Sequence, residues 1–131
     1  MKCLDTTFLI DLLHNEQGAT KKVLAIKNEE LTTTSINLFE VCVGIFRRKE
    51  NPEKAFEEFR QLIGALEILP VDVDSAVLAG MTSGNLLRQG KEISGMDCLI
   101  AGAMLAKNCK TIVTRDTEHF QRMKGIRVET Y

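Results

Sequence analysis

The stretch LTTTSINLFEVCVGIF, residues 31–46, predicts a strand that leads directly into a helix. Residues 31–34 are dominated by threonine, a β-branched residue that favours extended backbone. Residues 36–46 are nearly all apolar, and this run is long enough for a buried helix rather than a strand. Glu40 is the only charged side chain within it. The stretch therefore indicates a β-α unit with one acid in its helix.

The same alternation continues on both sides of this unit. Strand patterns occupy residues 2–4, 66–71, 111–114 and 126–129, and helical patterns occupy residues 7–13, 18–28, 52–63, 74–89, 96–104 and 118–122. Strands separated by helices imply crossover connections, which produce a largely parallel sheet covered by helices on both faces. We therefore predict an α/β fold, a three-layer α/β/α sandwich. Sheets of this kind bind ligands at the carboxyl ends of their strands.

Several predicted helices carry capping residues at their ends. Asn51 followed by Pro52 predicts a helix start. Asp74 is predicted to cap the helix that stops at Gly90. The stretch SGMD, residues 94–97, has the spacing of a capping box, in which two side chains bond reciprocally to the first backbone N–H groups of a helix.

The composition is that of an ordinary globular domain. The 131 residues are 44% hydrophobic and 27% charged, so we expect a single domain over residues 1–131. No apolar run approaches the roughly 20 residues of a membrane helix and no secretion signal is evident, which favours a cytoplasmic protein without membrane contact. The four cysteines lack zinc-ligand spacing and are expected to be buried thiols. A net charge of −1 gives no broad basic surface for nucleic acid.

Three aspartates in the chain have a simple explanation as helix caps. Asp5 and Asp116 each follow a predicted strand and precede a helical turn, where aspartate is a common N-cap. Asp97 is explained by the capping box that begins at Ser94. Glu40 has no such explanation, because a carboxylate in a buried helix costs several kcal/mol without a partner, a proton or a metal ion.

Taken together, Asp5, Glu40, Asp97 and Asp116 predict a metal site. The fold places Asp5 and Asp116 at one edge of the sheet, where packed helices can add the other two acids. Clustered carboxylates repel one another unless cations lie between them. Oxygen ligands without cysteine or histidine favour Mg²⁺ or Mn²⁺, and a carboxylate-bound metal pair can activate water and orient a phosphodiester for hydrolysis.

Other polar residues lie beside this predicted site. Thr6 and Thr114 are placed to hydrogen-bond a ligand carboxylate or a water on the metal, although packing at strand ends explains them equally well. Asp11 is expected on a solvated helix face. A surface position explains His119 better than a role as a proton donor near Asp116.

The motifs in this order resemble those of PIN domains, and in particular of the VapC-like toxins of bacterial and archaeal toxin-antitoxin pairs. The matching stretches are LDTT at residues 4–7, NLFEV at 37–41, DCLIA at 97–101 and TIVTRD at 111–116, followed by His119 and Phe120. Each motif is short, and their joint order across essentially the whole chain carries the resemblance. Gly102 stands where family members more often carry alanine, a departure expected to matter little.

The resemblance implies a parallel sheet of about five strands in the order 3-2-1-4-5, with the four acids meeting at one edge. It implies a metal-dependent endoribonuclease that cleaves single-stranded or structured RNA, with Asp5, Glu40, Asp97 and Asp116 as its catalytic and metal-binding residues. It also implies a homodimer and inhibition by a small VapB-like antitoxin whose tail occupies the active-site groove.

Three other functions share some of these features. A phosphoacceptor receiver domain also combines an α/β fold with aspartates and Mg²⁺, but it needs an acidic pair near the end of the first strand, where Thr6 and Thr7 follow Asp5. A catalytically silent PIN module that binds RNA or protein is disfavoured by the presence of all four acids. A structure-selective DNA nuclease would be distinguished by its substrates.

Overall fold

The computed structural model describes all 131 residues and contains five strands and seven helices. In chain order the elements are β1 Lys2–Leu4, α1 Thr6–Leu13, α2 Gln17–Ile26, β2 Leu31–Thr34, α3 Ser35–Phe46, α4 Pro52–Ile63, β3 Glu67–Leu69, α5 Val73–Arg88, α6 Gly95–Ala106, β4 Thr111–Val113, α7 Thr117–Gln121 and β5 Arg127–Glu129. Every predicted strand and helix is present. The largest difference is in β3, which is shorter than the predicted strand at residues 66–71.

The five strands form one parallel sheet in the order β3-β2-β1-β4-β5, as the resemblance implied. In the central strand β1, Cys3 lies opposite Thr32 of β2 on one side and Ile112 of β4 on the other. The chain therefore builds outward from β1 in one direction and then returns to build in the other. The carboxyl ends of β1 and β4 flank the point where this reversal opens a crevice.

Two apolar clusters lie on opposite faces of the sheet. Cys3 of β1 and Ile112 of β4 belong to one cluster, and their neighbours Leu4 and Val113 belong to the other. Successive side chains of a strand point to opposite faces, which explains the division. Residues of α5, α6 and α7 complete the first cluster, and residues of α1 to α4 complete the second. The predicted three-layer sandwich is confirmed.

The helix starts differ from several of the predicted caps. Asp72 rather than Asp74 caps α5, because its carboxylate accepts the backbone N–H of Ser75 at 2.9 Å. Asn51 precedes α4 with a left-handed backbone (φ 47°) and makes no capping bond through its side chain. The predicted capping box at the start of α6 is also wrong, since Ser94 makes no side-chain cap.

Gly102 allows helices α5 and α6 to pack closely. A Cβ atom at this position would lie 2.3 Å from the backbone oxygen of Ser75 and 2.9 Å from the Cβ of Ala79. Both neighbours belong to α5, and the first is backbone that cannot rotate away. The glycine at this departure from the usual motif therefore has a packing reason in this chain, which the sequence pattern did not reveal. Separately, no helix combines the length and the apolarity that a membrane-spanning segment requires.

Candidate metal centre

Asp5 lies at the end of β1, where its backbone N–H donates to the carbonyl oxygen of Val113 in β4. The residue is 5% exposed, and its carboxylate accepts three hydrogen bonds. The donors are the hydroxyl of Thr114 at 2.6 Å, the amide of Asn37 at 3.0 Å and the hydroxyl of Thr7 at 3.3 Å. Asp5 occupies the N-cap position of α1 but makes no capping bond. Its carboxylate is therefore held by side chains and aimed into the crevice rather than back at the helix.

Asn37 connects Asp5 to Glu40. Its side-chain oxygen accepts the backbone N–H of Thr34 at 3.1 Å and its backbone N–H donates to the Thr34 hydroxyl, which forms the capping box of α3. Its amide nitrogen then donates to both Asp5 and the hydroxyl of Thr6, each at 3.0 Å. Thr6 in turn donates to the Glu40 carboxylate at 2.7 Å. One buried amide thus fixes the start of α3 and orients two of the predicted acids.

Glu40 is half-buried, and its helix is less enclosed than the sequence suggested. Only one stripe of α3, which includes Val41 and Ile45, is buried. Phe39 and Val43 on the other side are about half exposed. The prediction of a buried helix was wrong. Apolar residues of α3 lie on all sides of the helix, but the rest of the protein covers only one of these sides. The sequence required a partner for the Glu40 carboxylate, and the hydroxyl of Thr6 is that partner.

Asp97 and Asp116 meet at His119. The Nδ1 atom of His119 lies 2.9 Å from Oδ2 of Asp97 and 3.3 Å from Oδ2 of Asp116. Asp97, Asp116 and His119 each contribute one possible ligand atom, and these three atoms lie within 4.8 Å of one another. Asp116, like Asp5, stands at a helix N-cap position without a capping bond from its side chain. The capping explanations that the sequence allowed for these aspartates are not realised.

The pKa values show that the carboxylates share one electrostatic environment. Burial raises the pKa of Asp5 from 3.8 to about 6 against the lowering effect of the Thr114 hydrogen bond, and the charges of Asp97 and Glu40 add to the rise. Burial also raises the pKa of Asp97; the hydrogen bond from His119 opposes the rise and the charge of Asp116 adds to it. Asp97 and Asp116 therefore meet at His119, and Asp5 is joined to Glu40 through Asn37 and Thr6. The charges of Asp97 and Glu40 both raise the pKa of Asp5, so the two pairs lie near each other, and the four carboxylates are called the acidic cluster below.

The donor set of this cluster fits a hard divalent cation. Carboxylate oxygens predominate, and the group formed by Asp97, Asp116 and His119 is compact enough to bind one ion. Asp5 and Glu40 lie outside that compact group, and their carboxylates are oriented by Thr114, Asn37 and Thr6 instead. A cation near the cluster would favour the ionised form of Asp5 against its burial and against the charges of Asp97 and Glu40, which together raise its pKa.

The comparison with protein families identifies this architecture. The family model described as the PIN domain matches residues 2–126. The chain belongs to the PIN-domain family. This PIN domain is 25% identical to the tRNA(fMet)-specific endonuclease VapC of Shigella flexneri and 27% identical to the protein of the same name from Salmonella typhimurium. Both alignments span 128 residues and cover 98% of this chain and 96% of the relative. The resemblance inferred from the motifs is confirmed.

The same fold occurs in VapBC2 from Rickettsia felis, whose crystal structure contains a DNA fragment from its promoter. This PIN domain matches that structure with a TM-score of 0.89 at 23% identity, covering 99% of this chain and 98% of the other. The likeness extends over the whole chain and confirms the predicted α/β architecture.

Three residues of this PIN domain have roles that sequence reasoning missed or misplaced. The side chain of His119 is 39% exposed, as a surface position predicted, but its ring also contacts two acids, and its position three residues after Asp116 on one helical turn was the available signal. Asn37 was overlooked, although Thr34 and Asn37 have the spacing of a helix cap. Asp11, expected on a solvated face, is 6% exposed and is bound by Arg115 and Tyr131.

Proposed function

We propose that this PIN domain is a divalent-metal-dependent endoribonuclease and the toxin of a VapBC-type toxin-antitoxin pair. The observation that carries the proposal is the contact of Asp97 and Asp116 at His119 beside the linked pair Asp5 and Glu40, with none of the three aspartates used as a helix cap. The two relatives named VapC endonucleases, matched over nearly the whole chain, support hydrolysis of phosphodiester bonds in RNA. The whole of residues 1–131 is proposed to act as one domain.

The proposed metal-binding and catalytic residues are Asp5, Glu40, Asp97 and Asp116. A divalent cation bound by these carboxylates supplies Lewis acidity, which activates water and stabilises the charge that develops at a phosphodiester during hydrolysis. The half-buried imidazole ring of His119 offers one further ligand atom beside Asp97 and Asp116. We propose Mg²⁺ or Mn²⁺ as the ion; nitrogen ligands suit transition metals better than Mg²⁺, so the imidazole favours Mn²⁺.

The chain's own polar residues prepare this site before any ligand arrives. Thr114 and Asn37 donate to different oxygens of Asp5, which fixes the plane of its carboxylate. Thr6 donates to Oε1 of Glu40 and leaves Oε2 free of protein partners. Preset ligands of this kind need not reorganise when a cation binds, and such supporting residues commonly change metal affinity by 10- to 100-fold. Thr6 and Thr114 thus support the carboxylates, as the sequence suggested.

The proposed partners follow from the same relatives. We propose a VapB-like antitoxin as the inhibitor, since the Rickettsia felis protein that shares this fold was crystallised as VapBC2. We also propose a homodimer, which exposed apolar side chains on α5 support. The cytoplasm is the proposed location, because an RNA substrate and an antitoxin partner would both be encountered there.

Cleavage of labelled RNA by purified protein tests the function. Wild type is incubated with initiator tRNA, an unrelated tRNA and single-stranded DNA, each with Mg²⁺, with Mn²⁺ and with EDTA. Asp97→Asn keeps the shape of the side chain but removes a ligand charge. Asp74→Asn is the matched control, because Asp74 also lies in the first turn of a helix but is exposed and outside the cluster.

We expect metal-dependent RNA cleavage by wild type and by Asp74→Asn, and a loss of at least a hundredfold in Asp97→Asn. Melting temperatures measured in parallel should rise with either ion in wild type, more with Mn²⁺ if His119 is a ligand, and much less in Asp97→Asn. Cleavage of DNA alone would indicate a DNA nuclease. No cleavage of any substrate, with metal-dependent stabilisation intact, would instead indicate a silent binding module.

A further inference from the structure

Asp11 is a buried carboxylate outside the proposed metal site. It lies on α1 and is 6% exposed. Its Oδ2 accepts the hydroxyl of the last residue, Tyr131, at 2.6 Å, and the Nη1 atom of Arg115 lies 3.2 Å from Oδ1 and 3.0 Å from Oδ2. The Tyr131 ring packs edge-on against Phe8 with 4.7 Å between ring centroids. Asp11 therefore ties one arginine and the end of the chain to α1.

Arg115 is attached to the metal cluster through its backbone. It stands between Thr114, which donates to Asp5, and the proposed ligand Asp116. Its backbone N–H donates to the hydroxyl of Thr7 at 3.1 Å, and that hydroxyl also lies 3.3 Å from Oδ2 of Asp5. The position of the Arg115 main chain is thus linked to Asp5 by two consecutive hydrogen bonds.

The Arg115 guanidinium remains open to solvent although Asp11 holds it. Its side chain is 62% exposed, and the carboxylate of Asp11 contacts only the Nη1 atom. A guanidinium has five N–H donors in a planar fork, so the Nε and Nη2 side of the group is available to a second anion. An arginine needed only to neutralise Asp11 would not have to leave most of its donors facing water.

The location of this cation suits an RNA strand. Asp11 lies six residues beyond Asp5, about 9 Å along the axis of α1, and it holds the guanidinium beside the acidic cluster rather than within it. The metal cluster carries several negative charges that repel RNA, whereas a fixed arginine at its rim attracts a phosphate.

We propose that Arg115, held in place by Asp11, binds a backbone phosphate of the RNA beside the cleavage point. This inference rests on the proposed nuclease function and adds a substrate-binding residue to it. Asp11 acts as a positioning residue, because it fixes one side of the guanidinium and leaves the other side for the phosphate.

Binding of fluorescein-labelled initiator tRNA in EDTA, followed by fluorescence anisotropy, tests the proposal without cleavage. The variant is Arg115→Gln. Arg60→Gln is the matched control, since the Arg60 side chain is also 62% exposed and also pairs with one carboxylate, that of Glu57 on α4. We expect about tenfold weaker binding by Arg115→Gln, a salt dependence reduced by about one phosphate contact, and less than a twofold change for Arg60→Gln.

Wild-type affinity in Arg115→Gln would overturn the proposal, whatever happens to its melting temperature. If Arg115→Gln does not fold, Arg115→Lys replaces it, because lysine keeps the ion pair with Asp11 but lacks the fork. Weaker RNA binding by the lysine variant supports the proposal and unchanged binding overturns it. The nuclease function fails separately if wild type binds this RNA but cleaves none of the substrates with metal present.

Discussion

Asp5 illustrates at the residue scale how a functional site can oppose stability. Its carboxylate is almost fully buried and lies close enough to Asp97 and Glu40 for their charges to raise its pKa. Its three hydrogen bonds only partly offset the cost of burying the ionised form. Without a cation, the ionised side chain therefore favours unfolding, and a bound cation reverses that effect.

Asp5→Asn should stabilise the protein in EDTA near neutral pH. Burial raises the folded-state pKa of Asp5 from 3.8 to about 6, so the folded protein binds a proton here more tightly than the unfolded chain does. The stabilisation from this proton is complete below pH 4 and is lost as the pH rises through 6. The free energy of unfolding should fall by about 3 kcal/mol over this range. Asparagine carries no charge and so removes this pH-dependent loss. It can keep both main contacts, because its oxygen accepts from the Asn37 amide and its own amide donates to the Thr114 hydroxyl.

Melting temperatures in EDTA near pH 4 and near pH 8 measure this effect. The advantage of Asp5→Asn over wild type should be small at the lower pH and should grow at the higher pH. Asp74→Asn, at an exposed position, should show no such growth. A variant that melts at or below the wild-type temperature near pH 8 would show that the ionised carboxylate is well accommodated.

At the scale of elements, the contact between α5 and α6 depends on Gly102. These helices lie against each other so closely that a Cβ atom would overlap the Ser75 carbonyl oxygen. Asp97 lies in the first turn of α6, so the position of this helix also sets the position of a proposed ligand. A change in helix packing should therefore affect both stability and the site.

Gly102→Ala is expected to lower the free energy of unfolding by about 1–3 kcal/mol, the usual cost of overpacking a core. The cost arises because the backbone at Ser75 must shift to admit the new Cβ atom. Gly84→Ala in α5 is the control: its Cβ would meet nothing within 4 Å, and alanine favours a helix over glycine by roughly 0.5–1 kcal/mol. Urea unfolding measures both. Equal stability of the two variants would contradict the close approach of the helices.

At the scale of the whole molecule, α5 presents an apolar stripe to solvent. Val73, Val77 and Met81 recur at four-residue spacing, and each side chain is more than half exposed. Exposed apolar surface of this kind often marks a protein interface. The stripe lies on the helix layer opposite the one that carries Glu40, so an interface there would leave the α3 side of the cluster uncovered.

Met81→Asp should weaken self-association, because it places a charge within this apolar stripe. Light scattering after size-exclusion chromatography should show a dimer for wild type and a monomer for the variant at micromolar concentration. Leu24→Asp is the control, as Leu24 is an isolated exposed leucine on α2 with 60% exposure. A dimeric Met81→Asp protein would exclude the α5 stripe as the interface.

The sequence by itself determined the order of the elements and the positions of the acids relative to them. Helices and strands differ in the period of their apolar residues, and this local property survives in the chain without tertiary information. Once strands alternate with helices, a parallel sheet follows, and acids that come directly after strands must lie at one edge. Asp5 and Asp116 were therefore predictable from local pattern alone.

Only the tertiary structure decided which side chains meet at that edge. His119 joins Asp97 across 22 residues, Asn37 reaches Asp5 across 32, and Arg115 reaches Asp11 across 104. Gly102 is required by the nearness of another helix, and the exposure of Phe39 depends on how much of α3 the sheet covers. These features depend on distances between elements packed through crossovers, and sequence periodicity contains no information about such distances.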